Sequence, residues 1–333
     1  MICMMYEKAT QLDPSNEELL SQLFMAYVRI GAYKKQQSTA LALYKVKAKT
    51  PYYFWAVMSV VLQAKEASAD DEKKVQQIML PLAERMISKM EKEGKMEQEQ
   101  ETRLYLMVLE MQQKYREALQ VLQGPLGEKL ASTTSFMNFI VNAKITYQKK
   151  LENWDQVNVL AKNILQKCPD QWDVYLDYIT STFRLVDSEA NSGWSEEVDA
   201  TVGDAIKFIA FQREQNSKCR GPFLAQIELH SRLLARRAED AKMTDLTDLL
   251  VKYFEKFGDK PCCANDLKLY LPTLDGNEGD KFLEQTLKTI GFNDKTPATV
   301  SLFTHFLTVK GNLTMFFSSS GVRRDTAHLL AFA

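Results

Sequence analysis

Residues 15–46 read SNEELLSQLFMAYVRIGAYKKQQSTALALYKV, and this stretch decides the fold class. Its apolar and small side chains recur at the three- and four-residue spacing of one helix face, at Leu19, Leu23, Ala26, Tyr27 and Ile30. Ser15 and Glu18 have the spacing of a capping box, which predicts that Ser15 starts this helix. Gly31 interrupts the pattern and a second helical pattern follows, so the stretch predicts two helices joined by a tight turn.

A helix pair of about 34 residues with small and aromatic residues at these positions is typical of tetratricopeptide (TPR) repeats. The pattern returns loosely along the chain, with an aromatic residue after each predicted turn, at Tyr33, Tyr115 and Trp154. The unequal separations between these residues indicate degenerate repeats with insertions. The sequence therefore predicts an all-α fold, a TPR-like superhelix of helical repeats of the α-solenoid type.

Changes in this pattern predict three segments. Residues 1–185 carry the degenerate TPR-like repeats, and residues 186–310 continue the helical array. Residues 311–333 lose the periodicity, so we expect a disordered or variant-specific tail there. Residues 6–14 fit the second helix of a repeat whose first helix is missing, which leads us to expect that an N-terminal part is absent.

Composition and charge argue against several kinds of partner. Lys plus Arg is 42 and Asp plus Glu is 43, so the bulk charge indicates no polyanion partner and no DNA, and only a local patch could bind a polyanion. The five cysteines are scattered without a CxxC pair, which favours a reducing compartment and a cytoplasmic location. The longest apolar run, residues 54–62, is far shorter than the about 20 residues that span a bilayer, so no membrane partner is expected.

The sequence contains no recognisable catalytic or metal-binding motif. His230, His305 and His328 have no metal-ligand spacing to one another or to a cysteine. Cys262 and Cys263 are adjacent, and buried cysteines are favoured over a metal site. No glycine follows the R/Q-x-x-G-x-G/A pattern by which N-acetyltransferases bind the pyrophosphate of acetyl-CoA. We therefore expect no metal or cofactor in this chain, and an enzyme acting alone is the least favoured function.

Two surface features are candidates for binding. The first is a run of aromatic residues that opens a predicted helix after Pro51. Aromatic side chains often anchor protein interfaces, so we identify Tyr52, Tyr53 and Trp55 as candidate partner-binding residues. The alternative is that these rings pack between neighbouring repeats.

The second feature is a local basic cluster of Arg232, Arg236 and Arg237, with Lys218 and Arg220 upstream. Arg232 and Arg236 are four residues apart and so share a helix face. Arginine makes planar, charge-assisted hydrogen bonds to phosphate, which makes the three arginines candidates for contact with RNA. The alternative is a solvated face balanced by the acidic residues that follow.

Several segments share their residues with a known family, and the longest is YFEKFGDKPCC at 253–263, followed by DLK at 266–268. The shorter segments are LFMAY (23–27), PYYFW (51–55), LPLAERM (80–86), LGEKL (126–130) and FRL (183–185). Together they resemble the auxiliary, non-catalytic subunit of the N-terminal acetyltransferase B complex, NatB. The resemblance runs from about Leu19 to Lys268.

This resemblance implies a TPR-type superhelix that wraps a GNAT-fold catalytic subunit and links it to the ribosome. The pair would acetylate nascent chains that begin Met-Asp, Met-Glu, Met-Asn or Met-Gln, with acetyl-CoA bound only by the catalytic partner. Arg232, Arg236 and Arg237 would then be candidates for contact with ribosomal RNA. Family members are much longer, so a truncated or variant form is expected. The alternative function is a general TPR-like protein-interaction adaptor unrelated to acetylation.

Overall fold

The computed structural model describes residues 2–67, 75–131, 134–189, 196–236, 242–258 and 260–270, with isolated positions between 71 and 73 and between 273 and 282. Every regular element in this part of the chain is a helix, and no β-strand occurs in it. The predicted all-α fold is therefore confirmed. The chain divides into two compact units, Met1–Asn153 and Trp154–Ala333. The predicted tail at 311–333 lies outside the described residues, and the three-segment division stays a prediction.

The first unit consists of helices that pack in chain order. They are α1 (Ile2–Leu12), α2 (Glu17–Arg29), α3 (Tyr33–Val46), α4 (Thr50–Glu66), a short π-helix (Val75–Met79), α5 (Leu80–Lys92), α6 (Glu99–Met111), α7 (Tyr115–Gln123), α8 (Pro125–Ala131) and α9 (Thr134–Lys150). Each helix from α1 to α7 packs against the next, and α7, α8 and α9 pack against one another. Contacts between sequence neighbours are the hallmark of a repeat array.

The α2 helix begins one residue later than predicted. Its N-cap is Asn16, whose Oδ1 accepts hydrogen bonds from the backbone N–H groups of Glu18 and Leu19, both at 3.1 Å. The predicted capping box of Ser15 with Glu18 is therefore wrong. The Ser15 hydroxyl instead donates to Asp13 Oδ1 at 3.3 Å. Asparagine is as good an N-cap as serine, so the residue after Ser15 could take the position.

The turn between α2 and α3 depends on Gly31, which has a φ of +66°. Glycine adopts this left-handed conformation without the steric cost that a Cβ would add. The predicted break at Gly31 is confirmed. Beyond it, small residues lie where helices approach each other: Ala40 and Ala56 are fully buried. The core that follows is built mainly from α4 to α9, including Val57, Val61, Ile87, Leu106, Leu109 and Tyr147.

The second unit follows the same construction. Its helices are α10 (Trp154–Lys167), α11 (Trp172–Glu189), α12 (Glu196–Gln215), α13 (Arg220–Ala235), α14 (Met243–Phe257) and α15 (Pro261–Lys268). The α11 helix packs against α10, α12 and α13, and α13 also packs against α12 and α14. The buried apolar face of α14 supplies Leu246, Leu250, Phe254 and Phe257 to the core of this unit.

A polar network fixes α14 and α15 to the start of α13. Tyr253 is fully buried, and its hydroxyl donates to Asp266 Oδ2 at 2.6 Å. Arg220 lies 3.3 Å from the same carboxylate. Burial, together with the hydrogen bond to Asp266, raises the pKa of Tyr253 above its ordinary value. Since a buried hydroxyl without a partner is costly, this network favours one arrangement of the three helices.

Candidate partner-binding surfaces

The aromatic segment 52–55 lies in the first turn of α4, directly after Pro51. Proline is well placed there because its missing N–H has no partner in the first helical turn. Tyr53 and Phe54 are buried, and the Tyr53 ring packs edge-on against Tyr44 of α3 with centroids 5.1 Å apart. These two rings therefore pack between helices and leave little surface for a partner.

Tyr52 and Trp55 remain partly exposed. The Trp55 ring stacks on Phe24 of α2 with centroids 4.7 Å apart and an interplanar angle of 11°. The Tyr52 ring lies 5.2 Å from Trp55, and its hydroxyl donates to the carboxylate of Glu17. The segment thus joins α4 to α2, and its two partly exposed rings form a small aromatic surface. A role of Tyr52, Tyr53 and Trp55 in binding a partner stays a prediction.

Glu17 is the polar centre of this contact. Lys49 Nζ lies 2.6 Å and Lys47 Nζ 3.0 Å from its carboxylate oxygens. The hydrogen bond from Lys49, followed by those from Tyr52 and Lys47, lowers the pKa of Glu17 to about 2. The carboxylate therefore stays ionised, and its charge is offset by the two lysines.

Arg232, the first of the predicted RNA contacts, lies on α13 and bridges to α11. Its Nε donates to Glu228 Oε1 at 2.6 Å, and its guanidinium donates to the Thr180 hydroxyl at 3.0 Å. Tyr270 donates to the other oxygen of Glu228 at 2.8 Å. The charge of Arg232 is thus offset by a half-buried carboxylate.

Arg236 is also paired within the second unit. Its guanidinium donates to both carboxylate oxygens of Asp187, at 3.1 and 2.9 Å, and lies 4.2 Å from the centre of the Phe183 ring. Arg237 lies outside the described residues. We call Arg232 and Arg236, with Glu228 and Asp187, the paired arginine surface. Its arginines hold helices together, and contact with RNA stays a prediction for them.

A second basic surface is formed by residues that were not singled out together from the sequence. Arg213 of α12 and Lys256 of α14 both lie over the Phe223 ring of α13, at 5.4 and 4.9 Å from its centre. Lys260 lies 4.9 Å from the Phe257 ring, which packs edge-on against Phe223. Spacing along the sequence does not predict this surface, because its residues come from three helices and an intervening turn.

An apolar groove lies between α1 and α2, with a volume of about 480 Å3. Ile2 and Met5 are 59% and 66% exposed at its edge. Its remaining lining is Tyr6, Ala9, Leu19, Gln22, Met25, Ala26 and Arg29. Its exposed apolar side chains make this groove a candidate surface for contact with a partner.

The described residues contain no group of three His, Cys, Asp or Glu side chains that could hold a metal ion. His230 makes a 2.9 Å hydrogen bond to the carbonyl of Lys242, while His305 and His328 lie outside the described part of the chain. Cys263 is buried and Cys262 is half-buried, and neither forms a disulfide. Among the helices that the structure describes, none is long and apolar enough to cross a membrane.

The fold and these surfaces define a TPR-type helical-repeat protein. Residues 1–165 match a family model described as the N-terminal TPR repeats region of Psidin. Residues 172–321 match the model of the N-acetyltransferase B complex (NatB) non catalytic subunit. The chain therefore belongs to the family of NatB non-catalytic subunits, as the resemblance of its segments predicted.

Curated relatives agree with this family. Over 313 residues the chain is 42% identical to human N-alpha-acetyltransferase 25, NatB auxiliary subunit, covering 91% of this chain and 32% of the relative. It is 31% identical over 309 residues to the N-terminal acetyltransferase B complex auxiliary subunit NAA25 of Arabidopsis thaliana, covering 85% of this chain and 27% of that relative. The chain thus spans about a third of the length of the curated relatives it matches.

The fold also resembles a chain in the solved structure of the NatB acetyltransferase complex bound to CoA and MES. The TM-score is 0.56 and the sequence identity is 18%, with 91% of this chain and 38% of that chain covered. At this identity the likeness concerns the fold alone. It confirms the predicted superhelix of helical repeats.

Proposed function

We propose that this chain acts as the non-catalytic scaffold of a NatB acetyltransferase. It binds a GNAT-type catalytic subunit, and that subunit alone binds acetyl-CoA and carries out the transfer. The pair acetylates nascent chains that begin Met-Asp, Met-Glu, Met-Asn or Met-Gln in the cytoplasm, and the scaffold links it to the ribosome. The observation that carries the proposal is the 42% identity to a NatB auxiliary subunit along 91% of this chain.

The structure supports a scaffold in physical terms. Stacked helix pairs give a long surface relative to their core, and each unit here is such a stack. The candidate surfaces are spread over both units: the aromatic surface of Tyr52 and Trp55 and the groove beside Met5 in the first, and the basic surfaces in the second. A catalytic domain would be bound over several such patches rather than in one pocket.

Co-purification tests the scaffold proposal. The affinity-tagged chain is co-expressed with an untagged GNAT-type catalytic subunit of NatB, and the eluate is resolved by size-exclusion chromatography. We expect the two chains to elute together in equimolar amounts. Elution of the tagged chain without the catalytic subunit would overturn the proposal.

A matched pair of variants then tests the aromatic surface. Tyr52→Ser removes a partly exposed ring at the start of α4, and Tyr115→Ser removes a partly exposed ring at the start of α7. We expect Tyr52→Ser to retain less catalytic subunit than Tyr115→Ser, with circular dichroism showing equal helix content. Equal retention would remove Tyr52 from the interface while leaving the scaffold role in place.

A further inference from the structure

Three cationic side chains of the second unit, Arg213, Lys256 and Lys260, lie over the rings of Phe223 and Phe257. Together with Lys218 in the turn after α12 we call them the cationic surface. The charges of Arg213 and Lys256 lie on the same Phe223 ring and so are no more than about 10 Å apart, about one Debye length at 0.1 M salt. At this separation, salt screens the repulsion between the two like charges only in part. Such an arrangement raises the local positive potential.

Lys260 and Lys218 extend the surface around the turn before α13. Burial raises the pKa of the Cys219 thiol, Asp170 raises it further, and Lys260 opposes both. Lys260 therefore lies near the turn that carries Lys218, the residue before Cys219. Lys218, Lys256 and Lys260 are exposed, and Arg213 is half-buried.

No carboxylate within the described residues forms an ion pair with any of these four cations. Arg213 donates to the neutral amide of Gln226 at 2.6 Å. Two acids beside the turn have other partners: Asp170 accepts the Gly221 N–H at 2.6 Å, and Asp266 is paired with Arg220. In the paired arginine surface of the same unit, by contrast, Arg232 and Arg236 each form an ion pair with a carboxylate. The positive charge of the cationic surface is therefore available to a ligand from outside.

The composition of the surface favours a phosphate backbone over a protein. Lysine is depleted at protein interfaces, whose cores are built from accessible aromatic rings and arginine, and three of these four cations are lysines. The Phe223 ring, which could have anchored a protein or stacked on a base, lies beneath Arg213 and Lys256. Long cationic side chains spread over α12, α14 and the turns beside them instead suit a polymer that carries a charge at every repeat.

We infer that Arg213, Lys218, Lys256 and Lys260 form a surface that binds the phosphate backbone of RNA without reading its bases. This surface would be the part of the chain that contacts the ribosome in the proposed function. Only that role in the cell rests on the proposed function; the binding of RNA itself does not. RNA binding is measured without the catalytic subunit, so failure of this inference and failure of the scaffold role are distinguishable.

The test is fluorescence anisotropy of the whole chain with a labelled 20-nucleotide oligouridine at several salt concentrations. Nonspecific contacts of this kind give a Kd of about 1–100 µM at physiological salt. Four contacts predict a slope of log K against log salt near about −3, since each phosphate on a single strand contributes about −0.7. Oligouridine and a mixed unstructured sequence of equal length should bind equally.

The quadruple variant Arg213→Gln, Lys218→Ala, Lys256→Ala and Lys260→Ala should bind at least about tenfold more weakly, with a slope close to zero. The matched control carries the same charge change on exposed lysines of the first unit, Lys8→Ala, Lys45→Ala, Lys65→Ala and Lys150→Ala. It should bind as the unmodified chain does. An equal loss of RNA affinity in both variants would show that only the net charge of the chain matters, and this would overturn the inference. Competition by polyglutamate at the same charge concentration as RNA would also overturn it.

Discussion

The paired arginine surface and the cationic surface lie in the same unit and carry charge of the same sign, yet they use it differently. Arg232 and Arg236 each meet a carboxylate and tie α13 to α11. Lys256 and Lys260 meet aromatic rings and no carboxylate among the described residues. Basic residues that are close together therefore predict a polyanion site only when their charges are left without internal partners.

The largest effect is expected from reversing charge on the paired surface. Arg232→Glu places a second carboxylate beside Glu228, whose side chain is 17% exposed, and removes the bond to Thr180. We expect the free energy of unfolding of this unit to fall by about 2–3 kcal/mol, since a charged hydrogen bond is lost and the Glu228 carboxylate, with only the Tyr270 hydroxyl left as its partner, meets a like charge. Urea unfolding followed by circular dichroism measures the change. The matched reversal Lys256→Glu should cost far less, and equal costs would contradict the comparison.

A smaller loss is expected at Arg236. Arg236→Ala removes a bidentate pair with the exposed carboxylate of Asp187 and the contact with the Phe183 ring. Each of these contributes about 0.5–1 kcal/mol at a solvated site, so the free energy of unfolding should fall by about 1–2 kcal/mol. The same urea titration detects it. Raising the salt concentration should shrink the difference from the unmodified chain, and an unchanged difference would argue against an electrostatic origin.

Removing the unpaired cations should leave stability almost untouched. Lys256→Ala and Lys260→Ala take exposed ammonium groups from ring faces, and each should change the free energy of unfolding by no more than about 0.5 kcal/mol in either direction. Their effect should instead appear as weaker RNA binding. A loss of stability comparable to that of Arg232→Glu would mean that these lysines hold the fold.

The same pairing rule can be tested in the first unit by titration. The pKa of Glu17 is about 2 in the folded chain against an ordinary value of 4.5, with Lys49 as the largest cause. Because the folded pKa is lowered, the stabilisation by Glu17 is present above about pH 4.5 and is lost as the pH falls toward 2. Carboxyl chemical shifts in NMR measure the pKa. Lys49→Met should raise it toward 4.5, and an unchanged pKa would show that Lys49 is not the main cause.

How far the sequence predicts this molecule depends on whether a feature is local or brought together by packing. The break at Gly31 and the helices around it follow from spacing and backbone conformation, which are local. The N-cap was misplaced by one residue, because Ser15 and Asn16 are both good caps and only the hydrogen bonds decide between them.

The candidate surfaces were harder to predict, since their partners are distant in the sequence. Arg236 and Asp187 are 49 positions apart, and no spacing rule pairs them. Lys256 and Arg213 meet only through Phe223 of a third helix. The aromatic segment was predicted both as an anchor and as packing between repeats, and in the structure Tyr53 packs while Tyr52 and Trp55 keep part of their surface.

We propose that this chain supplies a binding surface while a neighbouring chain supplies the chemistry. The most direct test is acetylation of a Met-Asp peptide with acetyl-CoA by this chain alone, by the catalytic subunit alone and by the two together. We expect no product from this chain alone and faster turnover by the pair than by the catalytic subunit alone. Product from this chain alone, or no gain on adding it to the catalytic subunit, would disprove the scaffold role.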